Sequence, residues 1–195
     1  MKLLISLIFV LFSAVSTFAV EVGEDGLHKQ PWFSLTFKDV SEDIESAADE
    51  GKRLVYIFEQ RGCIYCTKMH EELLTDPEVA DYIKENFYVV QMNMFGDEEV
   101  TDSDGDVLTE KTAARKWGFL FTPTMVFMPE TLTEEKPVPE IASAIMPGAF
   151  GKWTFLNMFK WVKAKGYEGE EHFQQYHARI INELRAEGKL KSSAN

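Results

Sequence analysis

The chain has 195 residues, 20 basic against 32 acidic, a formal net charge of −12 and 45% hydrophobic residues. That mix is too apolar for a disordered chain and fits one folded domain with short extensions, and the acid excess, with no Lys/Arg cluster to offset it, argues against a nucleic-acid partner. Two cysteines exclude a four-cysteine zinc centre and leave at most one disulfide.

In chain order, Lys2 precedes an uncharged, mostly apolar run from Leu3 to Phe18, and Thr17-Phe18-Ala19 places small residues at −3 and −1 of a cleavage point before Val20. Residues 1–19 are therefore read as a signal peptide. The rival reading is an uncleaved anchor, but the immediate switch to Glu21, Glu24 and Asp25 favours export. Residues 20–38 form an extension. Asp39-Val40-Ser41-Glu42 reads as a capping box for a helix that Gly51 ends. Leu54 to Phe58 is a continuous apolar strand, and Cys63 to Leu74 looks helical. Asp76 and Pro77 suit the N-cap and first position of the next helix, followed by a strand from Phe87 to Met94.

Residues 96–108 are acidic and turn-rich, with a hairpin tip at Ser103-Asp104-Gly105. A short helix from Thr109 to Trp117 follows, then strands at Thr124–Met128 and Ile141–Met146. A helix carrying Phe155, Met158, Phe159 and Val162 comes next, and a last helix spans Glu170 to Glu187. The order implies one α/β domain over residues 39–166 with a helical tail over 167–195.

Cys63-Ile64-Tyr65-Cys66 is the candidate for covalent chemistry. It follows a strand and a glycine and opens a helix. There, unpaired N–H groups and the positive end of the helix dipole stabilise thiolate, lowering cysteine pKa values to about 3.5–7.5. The spacing suits an attacking thiol, Cys63, and a deeper resolving thiol, Cys66, working through a mixed disulfide.

Three other constellations fare less well. Asp102-Ser103-Asp104-Gly105-Asp106 hints at a calcium loop, but its glycine falls at the fourth place instead of the sixth, and Ala113 stands where the bidentate acid belongs. Cys63, Cys66 and His70 could ligate zinc or copper, against the commoner reading of His70 as a surface side chain. Thr67 after Cys66 excludes haem attachment.

The segment Phe58-Glu59-Gln60-Arg61-Gly62-Cys63-Ile64-Tyr65-Cys66-Thr67-Lys68-Met69 resembles the active-site strand, loop and helix of the thioredoxin superfamily. Thr75-Asp76-Pro77-Glu78-Val79 is similar to its exported branch, and Gly118-Phe119-Leu120-Phe121-Thr122-Pro123-Thr124 to the loop that holds the family's cis-proline. The insertion from Gly96 to Asp102, with Gly166-Tyr167 and Phe173-Gln174-Gln175-Tyr176, most resembles the SoxW-type thioredoxins of bacterial sulfur-oxidation systems. The resemblance covers residues from about 35 to 180.

It implies a thioredoxin fold: a central mixed β-sheet flanked by helices, here with a hairpin insertion and an extra C-terminal helix. It implies a redox disulfide between Cys63 and Cys66, with Ile64, Tyr65, Thr122 and Pro123 contacting substrate. It also implies a periplasmic monomer without metal or cofactor that reduces protein disulfides of a sulfur-oxidation or cytochrome-maturation client. A membrane thiol transporter of the CcdA/DsbD type (SoxV-like) would recharge it. An oxidant or isomerase of the Dsb kind and a copper-binding module are the alternatives. Two positions depart from the family: Ile64-Tyr65 replaces its usual Gly-Pro, and Ile57 stands where a buried acid relays protons to the second cysteine. Glu59 is the nearest replacement, either as a partly buried base for Cys66 or as a solvated loop acid.

Overall fold

The computed structural model describes residues 20–190, so the signal-peptide reading of residues 1–19 and the last five residues of the tail lie outside the described part. The extension begins with a two-stranded ribbon that the sequence did not announce, β1 (Glu21–Val22) paired antiparallel with β2 (His28–Lys29). Strands of two residues carry no periodicity to read.

Helix α1 (Val40–Asp49) starts where Asp39 accepts the backbone N–H of Ser41 and Glu42. The reciprocal bond from Glu42, which would complete a capping box, does not form, so Asp39 caps alone. β3 (Arg53–Glu59) is buried along its whole length. Val55 and Ile57 point into one core while Leu54, Tyr56 and Phe58 point into another, the behaviour of a central strand covered on both faces. Burying each such large side chain contributes about 1.5–3 kcal/mol.

After β3 the helix expected over residues 63–74 is broken into α2 (Ile64–Lys68) and a π-helical segment, Met69–Leu73, closed by the Leu74 N–H on the Met69 carbonyl. α3 (Pro77–Asn86) is capped by Asp76 with Pro77 in its first turn, and β4 (Phe87–Asn93) pairs parallel with β3. The hairpin insertion is β5 (Glu99–Thr101) with β6 (Val107–Thr109), its turn made possible by the positive φ of Gly105.

α4 (Glu110–Lys116) leads to β7 (Thr124–Phe127), antiparallel to β3. The strand expected over residues 141–146 is displaced. Pro139 favours helical φ, so Val138–Ile141 forms the short helix α5, and the strand β8 is Ala144–Pro147. α6 (Lys152–Lys163) follows. The last helix, α7 (Phe173–Ala186), begins three residues later than expected, with His172 as its N-cap, after a 3-10 turn at Gly166–Glu168.

The sheet order is β4-β3-β7-β8, one parallel and two antiparallel pairings. Met69, Val79, Ile83, Phe155 and Phe159 cover one face of it, and Val40, Ile44, Ala113, Ala114 and Trp117 cover the other. This is the thioredoxin fold, helices on both faces of a mixed sheet, and β3 aims the CxxC loop from its C-terminal end.

Candidate active site: the Cys63–Cys66 disulfide and the buried pair behind it

Gly62, with φ of +73°, turns the chain out of β3, and the Cys63 N–H returns to the Gln60 carbonyl at 3.3 Å. Cys63 then takes the N-cap position of α2: its Sγ accepts the backbone N–H of Cys66 at 3.0 Å, and its carbonyl accepts from Thr67. The two cysteines form a disulfide with Cα atoms 5.2 Å apart. Cys63 is 7% exposed and Cys66 1%, which leaves Cys63 the more accessible of the two.

Opposite the disulfide, the Thr122–Pro123 peptide bond is cis. Thr122 Oγ1 lies 3.3 Å from Cys63 Sγ, and the Thr122 carbonyl oxygen lies 3.5 Å from the same sulfur. The loop is held from below, where the Gly148 N–H bonds the Pro123 carbonyl at 2.7 Å and Thr124 Oγ1 bonds that of Phe121. Ile64 and Tyr65, between the cysteines, are exposed, as are Leu120 and Phe121 on the proline loop. Apolar side chains open to water around a reactive sulfur form a surface on which an extended peptide can sit.

Glu59 is neither a loop residue nor solvated. It ends β3, is fully buried, and receives bonds from His70 Nε2 at 2.9 and 3.0 Å and from Gln91 Nε2 at 2.8 Å. Its hydrogen bonds run to these two side chains and to neither sulfur. His70 is also fully buried, so the surface reading fails. Both of its ring nitrogens are engaged, Nε2 with Glu59 and Nδ1 with Gln30 Nε2 at 3.2 Å. That leaves the ring no free nitrogen for copper or zinc. Among the described residues, no group of three or more His, Cys, Asp or Glu side chains is arranged to hold a metal ion.

The acidic hairpin is likewise organised by protein groups. The buried Asp102 carboxylate accepts from the N–H groups of Ser103 and Val138 and from Trp117 Nε1, and Lys116 Nζ lies 2.6–2.8 Å from Asp102, Asp104 and Asp106. Lys116 pairs with all three carboxylates of this cluster.

Sequence reasoning missed the partnership of Glu59 with His70, Gln30 and Gln91. The signal within reach was one histidine four residues beyond Cys66, on the buried stripe of its helix.

Residues 40–135 match the model of a family described as a thioredoxin-like domain. Among solved structures, a thioredoxin-fold protein from Helicobacter pylori is 20% identical with a TM-score of 0.54, covering 82% of this chain and 93% of that one. A thioredoxin from Thermus thermophilus is 23% identical with a TM-score of 0.50, covering 69% and 91%. The periplasmic thioredoxin SoxS from Paracoccus pantotrophus is 22% identical with a TM-score of 0.38, covering 59% and 99%. No curated protein sequence matches the chain. A thioredoxin fold with a disulfide-bonded CxxC pair at the end of its central strand defines a thiol–disulfide oxidoreductase. Residues 40–135 match such a thioredoxin-like domain, and the Cys63–Cys66 disulfide lies within them.

Proposed function

We propose that the protein is an exported reductant of protein disulfides, in which Cys63 attacks and Cys66 resolves. The observation that carries the reading is the asymmetry of the pair: Cys63, the N-cap of α2, faces the Thr122–Pro123 loop, while Cys66 is sealed beneath it. An N-cap thiolate is stabilised by the Cys66 N–H and by the open end of the helix. The Thr122 backbone and the exposed Ile64, Tyr65, Leu120 and Phe121 would hold an extended client strand over the sulfur.

Attack of Cys63 thiolate on a client disulfide makes a mixed disulfide, and Cys66 then displaces the client thiol. Glu59 would take the proton of Cys66. Export rests on the charged start, apolar run and Ala19 of the sequence, and the periplasm is the compartment that fits. The SoxW-like insertion supports a client in sulfur oxidation or cytochrome maturation. A reductant in an oxidising compartment needs an electron supply, which a membrane dithiol transporter of the CcdA/DsbD type would give.

The test is reduction of insulin disulfides with dithiothreitol as donor. The wild-type chain is expected to accelerate insulin precipitation and Cys63→Ser to be inert. Equal traces for the two would contradict the reading.

A further inference from the structure

Donor-only groups fix the orientation of every side chain around Glu59. Trp32 Nε1 can only donate, and it lies 3.1 Å from Gln30 Oε1, so the other end of that amide, Nε2, is the donor aimed at His70 Nδ1. A ring nitrogen that accepts carries no proton. The proton of neutral His70 is therefore on Nε2, the atom that faces Glu59. The same logic runs through β4: Lys29 Nζ donates to Gln91 Oε1 at 2.9 Å, which turns Gln91 Nε2 toward the His28 carbonyl and Glu59 Oε1. Glu59 thus accepts from two neutral donors, with no cation bonded to it. Its Oε2 carries only a share of the ring N–H and has acceptor capacity to spare.

This arrangement shares a helical segment with the resolving thiol. Cys66 and His70 stand four residues apart on one continuous helical segment, and both are buried. π-helical turns are rare in helices and recur at functional sites. Here the π segment carries His70 while its partner Glu59 ends the strand that feeds the CxxC loop. Gln30 and Trp32 come from the N-terminal extension, outside residues 40–135 of the thioredoxin-like domain. Arg61, two residues before Cys63, ties the loop to the same extension through the Glu24 carbonyl at 3.0 Å.

We propose that His70, locked in its Nε2–H tautomer by Gln30, is a positioning residue that keeps Glu59 a proton acceptor for Cys66. The inference rests on the dithiol mechanism above and adds to it the residues that set the base. In the step concerned, the Cys66 S–H proton passes to Glu59 and the resulting thiolate attacks Cys63 Sγ. The Cys63–Cys66 bond forms as the Cys63–client bond breaks, and the client sulfur leaves as a thiolate that takes a proton from water. The cysteine pair loses two electrons and the client disulfide gains them. Glu59 afterwards releases its proton to solvent. Were Nδ1 free to take a second proton, His70 would become a cation paired with Glu59 and the carboxylate would be a poorer base.

The other titratable groups around the pair are His28, whose ring stacks on His70 at 5.3 Å between centroids, Lys29 through Gln91, and Cys66 on the same helical segment.

The experiment uses the reduced full chain and 5,5′-dithiobis(2-nitrobenzoate). The first thionitrobenzoate reports attack by Cys63, and the second reports resolution by Cys66. For Gln30→Ala the second release is expected to match wild type at about pH 8 and to fall progressively behind as the solution is acidified toward about pH 5. A wild-type-to-variant ratio that is constant across pH, as lost packing alone would give, overturns the proposal. Because a variant can misfold, the wild-type chain supplies a second readout. Imidazole 15N shifts of His70 at about pH 8 are expected to show Nδ1 unprotonated and Nε2 protonated. A protonated Nδ1 at that pH also overturns it. Wild-type chain that releases no second thionitrobenzoate contradicts the dithiol mechanism itself, whereas normal wild-type release with a pH-independent Gln30→Ala ratio contradicts only the role of His70.

Discussion

Thr122 and Cys63, 59 residues apart in sequence, meet with Oγ1 3.3 Å from Sγ. The contact joins the end of the central strand to the loop before β7, and it exists because β3 and β7 are paired neighbours whose loops open on the same edge. A client lying against the Thr122 backbone, as proposed above, would thereby be brought over Cys63, the more exposed cysteine. Cys66→Ser should therefore arrest exchange at the mixed disulfide, leaving client proteins bonded to Cys63. Mass spectrometry of the alkylated, unreduced protein checks this. Adducts on the Cys66→Ser variant that vanish when Cys63 is also replaced are the expected pattern.

The exposed side chains of the proline loop have no packing role that would explain Leu120 at 78% exposure. Replacing Leu120 and Phe121 by serine should slow insulin reduction more than it slows exchange with a small aromatic disulfide. Equal slowing of the two would place the loop outside client binding. Thermal stability should change little, since neither side chain is buried.

Glu59 and His70 make their hydrogen bonds in full burial, so their removal affects rate and stability differently. Glu59→Gln keeps the shape of the side chain and should slow resolution by about 100-fold, the low end of what a positioned base contributes. His70→Leu strands a buried carboxylate with one donor fewer and should cost about 1.5–3 kcal/mol in urea unfolding. A Glu59→Gln rate equal to wild type would remove the residue from the mechanism.

The distribution of what could be read from the residues follows from how local each feature is. β3, the Asp76–Pro77 start of α3 and the hairpin tip at Gly105 are specified by neighbours in sequence, and they stand where the pattern placed them. The CxxC pair carries its own spacing. The strand at β8 was displaced because Pro139 and the Ala142 N–H on the Val138 carbonyl make a helical turn that an apolar run does not reveal. The environment of Glu59 was illegible for a different reason. It is assembled from β3, the π segment, β4 and the extension, with sequence separations of 11, 32 and 40 residues between bonded partners. Pattern reading assigns a lone acid after a strand to a loop, and a lone histidine on a helix to the surface. Only the sheet pairing brings them together.

On α7, His177 sets a pH dependence of stability. Burial holds its pKa below the ordinary value of 6.5, and its ring receives Asn157 Nδ2 at 2.9 Å and lies 3.3 Å from Thr154 Oγ1 on α6. A depressed folded-state pKa means the unfolded chain takes up the proton first as pH falls. The stabilisation from neutral His177 is thus present above about pH 6.5 and lost below it. Urea midpoints measured between about pH 8 and about pH 5 should fall more steeply for wild type than for His177→Gln. Parallel curves would show that the ring does not titrate on unfolding.

The hairpin carboxylate Asp102 should separate fold from chemistry. It accepts from the Ser103 and Val138 N–H groups and from Trp117, all far in sequence from the cysteines. Asp102→Ala should lower stability by about 3 kcal/mol through its orphaned donors while the folded variant still reduces insulin. Loss of reduction in a variant that remains folded would tie the insertion to the reaction.

The direction of electron flow is the central claim, and the equilibrium reduction potential of the Cys63–Cys66 pair tests it most directly. Titration of the chain against defined thiol–disulfide ratios, read by the mass shift on alkylation, gives the value. A potential at or below about −220 mV is expected for a reductant fed by a membrane dithiol donor. A potential near about −120 mV would contradict the account and make the protein an oxidant.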